Sequence, residues 1–296
     1  MAEAGRQSTS RRQLEQHESF QEISPEVGVL DEEAFSDALR DDPDDALTML
    51  AELTGATDER LRELARAMAG RVVVDVVRTG APRRTGIGRL HHRRADRGGE
   101  LDIDRSLETI AAARARNDAP SLEDLTARDW AKPDLALCLL IDRSGSMGGE
   151  RLATAAVAAA ASLWRAPTDT SVIAFSDDAI VIAPQGSGRD PEDVVNRLFR
   201  LRGFGTTDLA LAFRAAAAQL HRSSATRRIT LLLSDGRATA GDDPESTAAQ
   251  LDELVVLAPE DDCENARELA DAVGGRCVTV RGPSSVPDAL AEALHG

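Results

Sequence analysis

Three loops of this chain carry side chains able to hold a hard cation. The first is Asp142-Arg143-Ser144-Gly145-Ser146-Met147, in which Asp142, Ser144 and Ser146 alternate. In an extended turn such residues point to the same side, and one carboxylate with two hydroxyls offers the oxygen ligands that suit a small divalent ion such as Mg²⁺. The competing reading is purely local: Asp142 caps a following helix and the serines fill turn positions. Thr206-Thr207-Asp208 and Ser234-Asp235 are the other two loops. Each alone is compatible with ordinary turn chemistry. Together they bring serine and threonine hydroxyls and two carboxylates to three element junctions.

Those junctions follow from the elements between them. Leu135 to Ile141 is an unbroken apolar run of seven, the signature of a strand buried on both faces of a parallel sheet. Glu150 to Ala166 is rich in Ala and Leu and free of Gly and Pro, which predicts a buried helix. Strands are then predicted at 170–175, 179–183, 228–233, 254–258 and 276–280. Helices are predicted from Pro191, and over 209–220, 263–273 and 287–294. Ser176-Asp177-Asp178 makes a tight hairpin between the second and third strands and so one antiparallel edge. The fold class is therefore α/β, a Rossmann-like, mainly parallel sheet with helices on both faces, preceded by a small helical N-terminal module. In such a sheet the loops at the carboxyl ends of neighbouring strands meet at one crevice, and all three oxygen-bearing loops lie at that edge.

From Asp134 onward the chain resembles a von Willebrand factor A (VWA) domain carrying a metal-ion-dependent adhesion site. The matching stretches are DRSGSM at 142–147, GTTDLALAF at 205–213 and LLLSDGRAT at 231–239. The resemblance implies Mg²⁺, or alternatively Mn²⁺, held by Ser144 and Ser146 directly, by Thr207 in one state, and by Asp142 and Asp235 directly or through water. The family usually has two glycines before its threonine. Here Thr206 takes the second place, so Thr206 and Thr207 both stand as candidates, and TDLALAF aligns better with Thr207. Arg143, Gly145, Thr206 and Asp208 would then flank the ion on the partner-binding side. Within the family, DxSGSM with SDGRAT and the upstream GELDIDRSLE at 99–108 are similar to two groups. One is the VWA proteins that accompany MoxR-type AAA+ ATPases, and the other is the VWA domain of magnesium chelatase, carried by its D-type component. The implied function is that of an adaptor engaging an acidic residue of a partner, an AAA+ ATPase of MoxR type, in complex remodelling or metal-cofactor insertion. The alternatives are a chelatase component or a metal-dependent phosphohydrolase-like enzyme. Against an enzyme, position 144 is Ser where an acid/base carboxylate would be needed, and the only lysine is Lys132. No GxxxxGK[ST] stretch occurs, so the chain is not itself an AAA+ ATPase.

The remainder of the chain divides by charge. Residues 1–25 are polar and unpatterned and read as a disordered tail. Residues 26–78 read as a helical module, with Asp42-Pro43 as a helix start. Between Leu14 and Leu64 sixteen carboxylates face three arginines, a solvated face or a docking surface. Residues 79–132 read as a basic connector and a helix, six arginines falling between Arg83 and Arg97. The VWA-like domain is assigned to 133–296. A net charge of −16 and 3% aromatics argue against nonspecific nucleic-acid binding by the chain. Three dispersed cysteines, no CxxC pair, no leader-like apolar segment and no long apolar span predict a soluble, cytoplasmic protein that does not enter membranes.

Overall fold

The structure is a computed structural model and describes residues 8–80, 90–97, 100–116, 118–130, 135–145, 148–201, 203 and 205–295. In chain order it runs α1 (Arg11–Leu14), α2 (Phe20–Ile23), α3 (Glu32–Asp41), α4 (Pro43–Leu53), α5 (Glu59–Gly80), β1 (Leu90–Arg94), β2 (Glu100–Leu101), α6 (Ile103–Ala115), β3 (Thr126–Trp130) and β4 (Leu135–Asp142). There follow α7 (Gly149–Arg165), β5 (Thr170–Phe175), β6 (Ala179–Ala183), α8 (Pro191–Leu198), α9 (Leu209–Leu220), β7 (Arg227–Leu233), α10 (Pro244–Ala248), β8 (Leu254–Pro259), α11 (Glu264–Ala272), β9 (Arg276–Val280) and α12 (Val286–Leu294). The chain divides into two compact units, residues 1–82 with 135–296, and residues 83–134.

The larger unit is an α/β fold on a six-stranded sheet of order β6-β5-β4-β7-β8-β9. Every pairing is parallel except β5 with β6, the antiparallel edge. Strand β4 lies at the centre, and its alternation divides the core. Leu137, Leu139 and Ile141 join one apolar cluster, which includes α7 and α12; Ala136, Cys138 and Leu140 join the other, which includes α9 and α11. This two-sided burial is why the run from Leu135 has no polar alternation. Burial also pushes the Cys138 thiol up to about 12, so this cysteine acts as a small hydrophobe.

Helix α7 is buried nearly all round, Ala158, Ala159 and Ala160 included. Its alanines allow close approach on the sheet side and on the outer side, where α4 and α5 pack against it. The N-terminal helices thus form an outer layer on the α/β core. Residues 8–25, expected as a tail, are folded into this layer: Leu14, Phe20 and Ile23 are fully buried, each contributing roughly 1.5–3 kcal/mol of burial. The sequence masked this because the three apolar anchors are separated by charged residues with no sustained period. Asp31 and Asp42 cap α3 and α4 by accepting from backbone N–H groups of the first turns, and Pro43 opens α4 as expected.

The smaller unit contains an antiparallel sheet of order β1-β3-β2 and the helix α6. Part of the stretch expected as a basic connector is therefore a strand: Leu90 to Arg94 pair with Trp130 to Thr126. Asp102 caps α6 through Arg105 N–H, and Ser106 Oγ accepts from Thr126 N–H at 3.0 Å. Arg94 pairs within the unit, with Asp96 and Glu123. Residues 81–89 of the arginine-rich stretch lie outside the described residues.

Candidate metal centre

The three oxygen-bearing loops emerge where the sheet predicts. β4 ends at Asp142, in register with Phe175 of β5, while Ile141 pairs with Leu233 of β7, the residue before Ser234. Asp142 is held at both carboxylate oxygens: Ser144 N–H donates to Oδ1 at 2.8 Å, and the Ser234 hydroxyl donates to Oδ2 at 2.9 Å. The first bond bends the loop so that Ser144 follows Asp142 around the strand end. The second ties the β4 loop to the β7 loop. Ser234 Oγ in turn accepts from Gly236 N–H at 3.1 Å. Gly236 has φ +84°, and a Cβ there would lie 2.6 Å from the Ala266 backbone, so α11 can seat against this loop only because the residue is glycine.

The third loop closes the set. The Thr207 hydroxyl donates to Ser144 Oγ at 2.6 Å. Thr207 is buried and pinned from below: its N–H donates to Thr239 Oγ1 at 2.8 Å, and its carbonyl accepts from Thr239 and Ala240 N–H. Thr206 is exposed beside it. Of the two threonines left open by the sequence, Thr207 is therefore the one whose hydroxyl is delivered to the other loops. Thr239, which positions it, closes the LLLSDGRAT stretch but is not among the candidate ligands read from it, because its role runs through a partner 32 residues away.

The electrostatics of the site favour a cation. Burial lifts the Asp142 carboxyl above its ordinary value, the hydrogen bonds from Ser144 and Ser234 work against that, and the nearby Asp235 charge adds to it. Among the described residues no Lys, Arg or His forms an ion pair with Asp142 or Asp235. Asp235 accepts from Arg237 N–H at 3.0 Å, a neutral donor that leaves its charge in place. Hard oxygens from Asp142, Ser144, Thr207 and Asp235 around uncompensated negative charge fit a small divalent ion. Ser146, expected in the same set, lies outside the described residues.

Two of the residues expected on the partner-facing side are used otherwise. Arg143 is buried, its N–H donating to Phe175 O at 2.8 Å and its guanidinium pairing with Asp178 on the β5–β6 hairpin. It faces inward because alternation along the loop puts it opposite Asp142 and Ser144. Asp208 is the N-cap of α9, accepting from Leu211 N–H at 2.8 Å. Gly241, at φ +90°, packs so close that a Cβ would collide with the Asp208 carboxylate. Gly145 and Thr206 are exposed.

Residues 71–267 match the family described as VWA domain containing CoxE-like protein. The chain belongs to this family. The CoxE-like VWA match begins within α5 and ends within α11, so α1 to α4 precede it. Among solved structures, the chain is similar to an aerotolerance-related membrane protein from Bacteroides fragilis NCTC 9343 carrying multiple mutations to serines, at 17% identity and TM-score 0.45, over 54% of this chain and 98% of that one. It is also similar to a von Willebrand factor type A structure from Catenulispora acidiphila, at 19% identity and TM-score 0.44, over 56% of this chain and 43% of that one. A third is the conserved hypothetical protein BatB from Bacteroides thetaiotaomicron, at 16% identity and TM-score 0.41, over 55% and 98%. None of the curated proteins compared with the chain matches it. Among the described residues, no helix is long and apolar enough to cross a membrane.

Proposed function

We propose that this CoxE-like VWA protein is a Mg²⁺-dependent protein-binding adaptor. In this reading Asp142, Ser144, Ser146, Thr207 and Asp235 hold the ion, with Mn²⁺ as the alternative, and an acidic side chain of a partner joins them. The observation that carries it is the 2.6 Å hydroxyl pair of Thr207 and Ser144 set beside a partly buried carboxylate that lacks a cationic partner among the described residues. When bound, the divalent ion supplies positive charge to an incoming carboxylate. The rest is done by the chain's own residues. Ser144 and Thr207 contribute oxygens without charge, so a doubly charged ion is only balanced by Asp142 and Asp235 and keeps affinity for one more anion. Ser234 holds Asp142 in place, Thr239 holds Thr207, and the pair of buried Arg143 with Asp178 anchors the first loop to the β5–β6 hairpin.

VWA-domain proteins are in general adaptors and not catalysts. The CoxE-like family is associated in general with MoxR AAA+ ATPases. We therefore take a MoxR-type ATPase as the partner, in the cytoplasm, with complex remodelling or metal-cofactor insertion as the process; a chelatase-like component would use the same site. The test is affinity capture from native lysate with wild type in Mg²⁺, wild type in EDTA, and Asp142→Ala in Mg²⁺. An AAA+ ATPase identified by mass spectrometry only in the first sample supports the reading. Equal recovery in all three removes the metal site from the contact.

A further inference from the structure

The carboxyl edge of the sheet is closed on one side of the candidate centre and open on the other. Toward β5 and β6 it is sealed by the Arg143–Asp178 pair, by Asp208 N–H donating to Ser176 O at 3.0 Å, and by Asp177 lying against Gly205. Toward β7, β8 and β9 it opens into a cleft of about 630 Å³. That cleft shares Asp142 and Asp235 with the candidate centre and extends past the ends of β8 and β9 to Asp261 and Arg281, with Glu150 and Arg151 of α7 along it. It has the size of a ligand pocket and is continuous with the candidate centre, sharing its lining.

The charges in it decide what it fits. Arg281 pairs with Glu260 at 3.2 Å, and Arg237 with Asp262 at 2.5 Å. Glu150, Asp261 and Arg151 are exposed, and none forms an ion pair among the described residues. A divalent ion neutralises Asp142 and Asp235. The partner's carboxylate then adds one negative charge, and Glu150 and Asp261 against Arg151 leave the cleft with a further net negative charge. A purely acidic partner segment would meet repulsion there, while a segment carrying both signs is complementary.

Resting on the metal-dependent reading above, we infer that the cleft receives the partner segment next to its coordinating carboxylate, and that this segment carries a basic side chain which Asp261 and Glu150 accept. Adjacent strands lie about 4.8 Å apart, and extended chain advances about 3.3 Å per residue. Asp142 ends β4 and Asp235 follows β7, so the candidate ligands lie at the ends of these two strands, and Asp261 follows β8, the next strand. One to two strand spacings therefore correspond to roughly two or three residues between the acid and the base. The partner is thus a protein whose exposed loop or terminus presents an Asp or Glu followed or preceded at that spacing by Arg or Lys.

The test uses the full chain and four fluorescein-labelled peptides of equal length in a Gly/Ser background. They carry Asp alone, Asp with Arg three residues on, Arg alone, and Asp with Glu three residues on. Binding is read by fluorescence polarisation in Mg²⁺ and in EDTA. The expected result in Mg²⁺ is that Asp/Arg binds about tenfold more tightly than Asp alone, and that Asp/Glu binds more weakly than Asp alone. In the doubly substituted protein Glu150→Gln, Asp261→Asn, shown folded by its thermal melt, the Asp/Arg advantage falls below about threefold. An Asp/Arg peptide no better than Asp alone, or an advantage that survives the double substitution, overturns the inference and leaves metal-dependent binding standing. Binding of all four peptides that is indifferent to EDTA refutes the metal-dependent reading, and this inference with it.

Discussion

Replacing Asp142 by Asn separates a metal-binding carboxylate from a merely structural one, because the two roles predict opposite changes. In the absence of metal, Asn keeps an oxygen for Ser144 N–H, now 2.8 Å from Oδ1, and turns an amide toward Ser234 Oγ, now 2.9 Å from Oδ2. Ser234 Oγ accepts one bond, from Gly236 N–H, and a hydroxyl oxygen has two lone pairs. The number of hydrogen bonds is therefore conserved while a partly buried charge, disfavoured by that burial and by Asp235, disappears. In EDTA the variant should melt at or slightly above the wild-type temperature. With Mg²⁺ at a hundred times its Kd, a ligand that binds only the folded state stabilises by about 2.7 kcal/mol. For a unit of this size each kcal/mol moves the midpoint by about 2–4 °C, so wild type should gain roughly 5–10 °C and Asp142→Asn essentially nothing. The assay is a thermal melt by circular dichroism in EDTA and in Mg²⁺, with the Kd from titration calorimetry. A variant that keeps the full Mg²⁺ shift, or that loses more than about 2 kcal/mol in EDTA, refutes the assignment of Asp142 as a ligand held at a cost to the metal-free fold.

Thr207→Val should lose most of the Mg²⁺ shift while Thr206→Val keeps it, since only Thr207 reaches Ser144; calorimetry on the two variants decides, and equal losses would mean the loop adopts another register. His17 lies between Asp45 and Glu52 of α4, with Nδ1 2.5 Å from Asp45 Oδ1 and Nε2 3.2 Å from Glu52 Oε2. The Glu52 bond, with Asp45, raises its pKa above 6.5 against the opposing effect of burial. The imidazolium then stabilises the fold fully below about pH 6.5 and that contribution fades as pH rises through the higher folded value. Wild type should lose on the order of 1 kcal/mol across that rise relative to His17→Gln, measured by urea unfolding at a series of pH values; parallel profiles would exclude the ion pairs as a source of stability. Arg143→Ala should cost about 2 kcal/mol, less than a fully buried pair because Asp178 is half exposed, and should weaken Mg²⁺ binding through the loosened loop; a variant of unchanged stability and affinity would show that the pair holds nothing.

Much of the larger unit could be read from period and punctuation. The strands at 170–175, 179–183 and 276–280 and the helix at 209–220 stand where the sequence places them, because in each the apolar run is bounded by turn residues and the burial is two-sided or strictly one-sided. Two of the oxygen-bearing loops, those after β4 and β7, were legible for the same reason: in an open parallel sheet, a polar loop after a buried strand has nowhere to go but the carboxyl edge. What stayed hidden was inward-facing polarity. Arg143 looked like rim chemistry because a charged residue in a loop is usually exposed, and only the return of the β5–β6 hairpin supplies the Asp178 that lets it be buried. The strand Leu90–Arg94 was hidden by its own composition, since histidine and arginine mask the period-two pattern that cross-strand pairing to Thr126–Trp130 reveals.

The N-terminal helices were legible one by one but not in their destination. Their apolar faces match no surface that a sequence window contains, because the complementary face belongs to α7, about a hundred residues later. What they do there is specific. Asp44 accepts from Ser284 N–H at 2.7 Å, joining α4 to the turn that begins the last helix. Glu52, the same residue that grips His17, lies where a Cβ on Gly149 would come within 2.9 Å of its carboxylate. Gly149 opens α7 directly after the loop that starts at Asp142, and it sits at φ +52°, a conformation glycine reaches without strain. The acidic run that reads as a solvated face is therefore partly inward chemistry: Asp44 is bonded to the turn before α12, and Glu52 lies close against Gly149 where α7 begins. A layer that precedes the family match at residue 71 thus bears on the two ends of the α/β core where a metal-dependent change in the loop would first be felt.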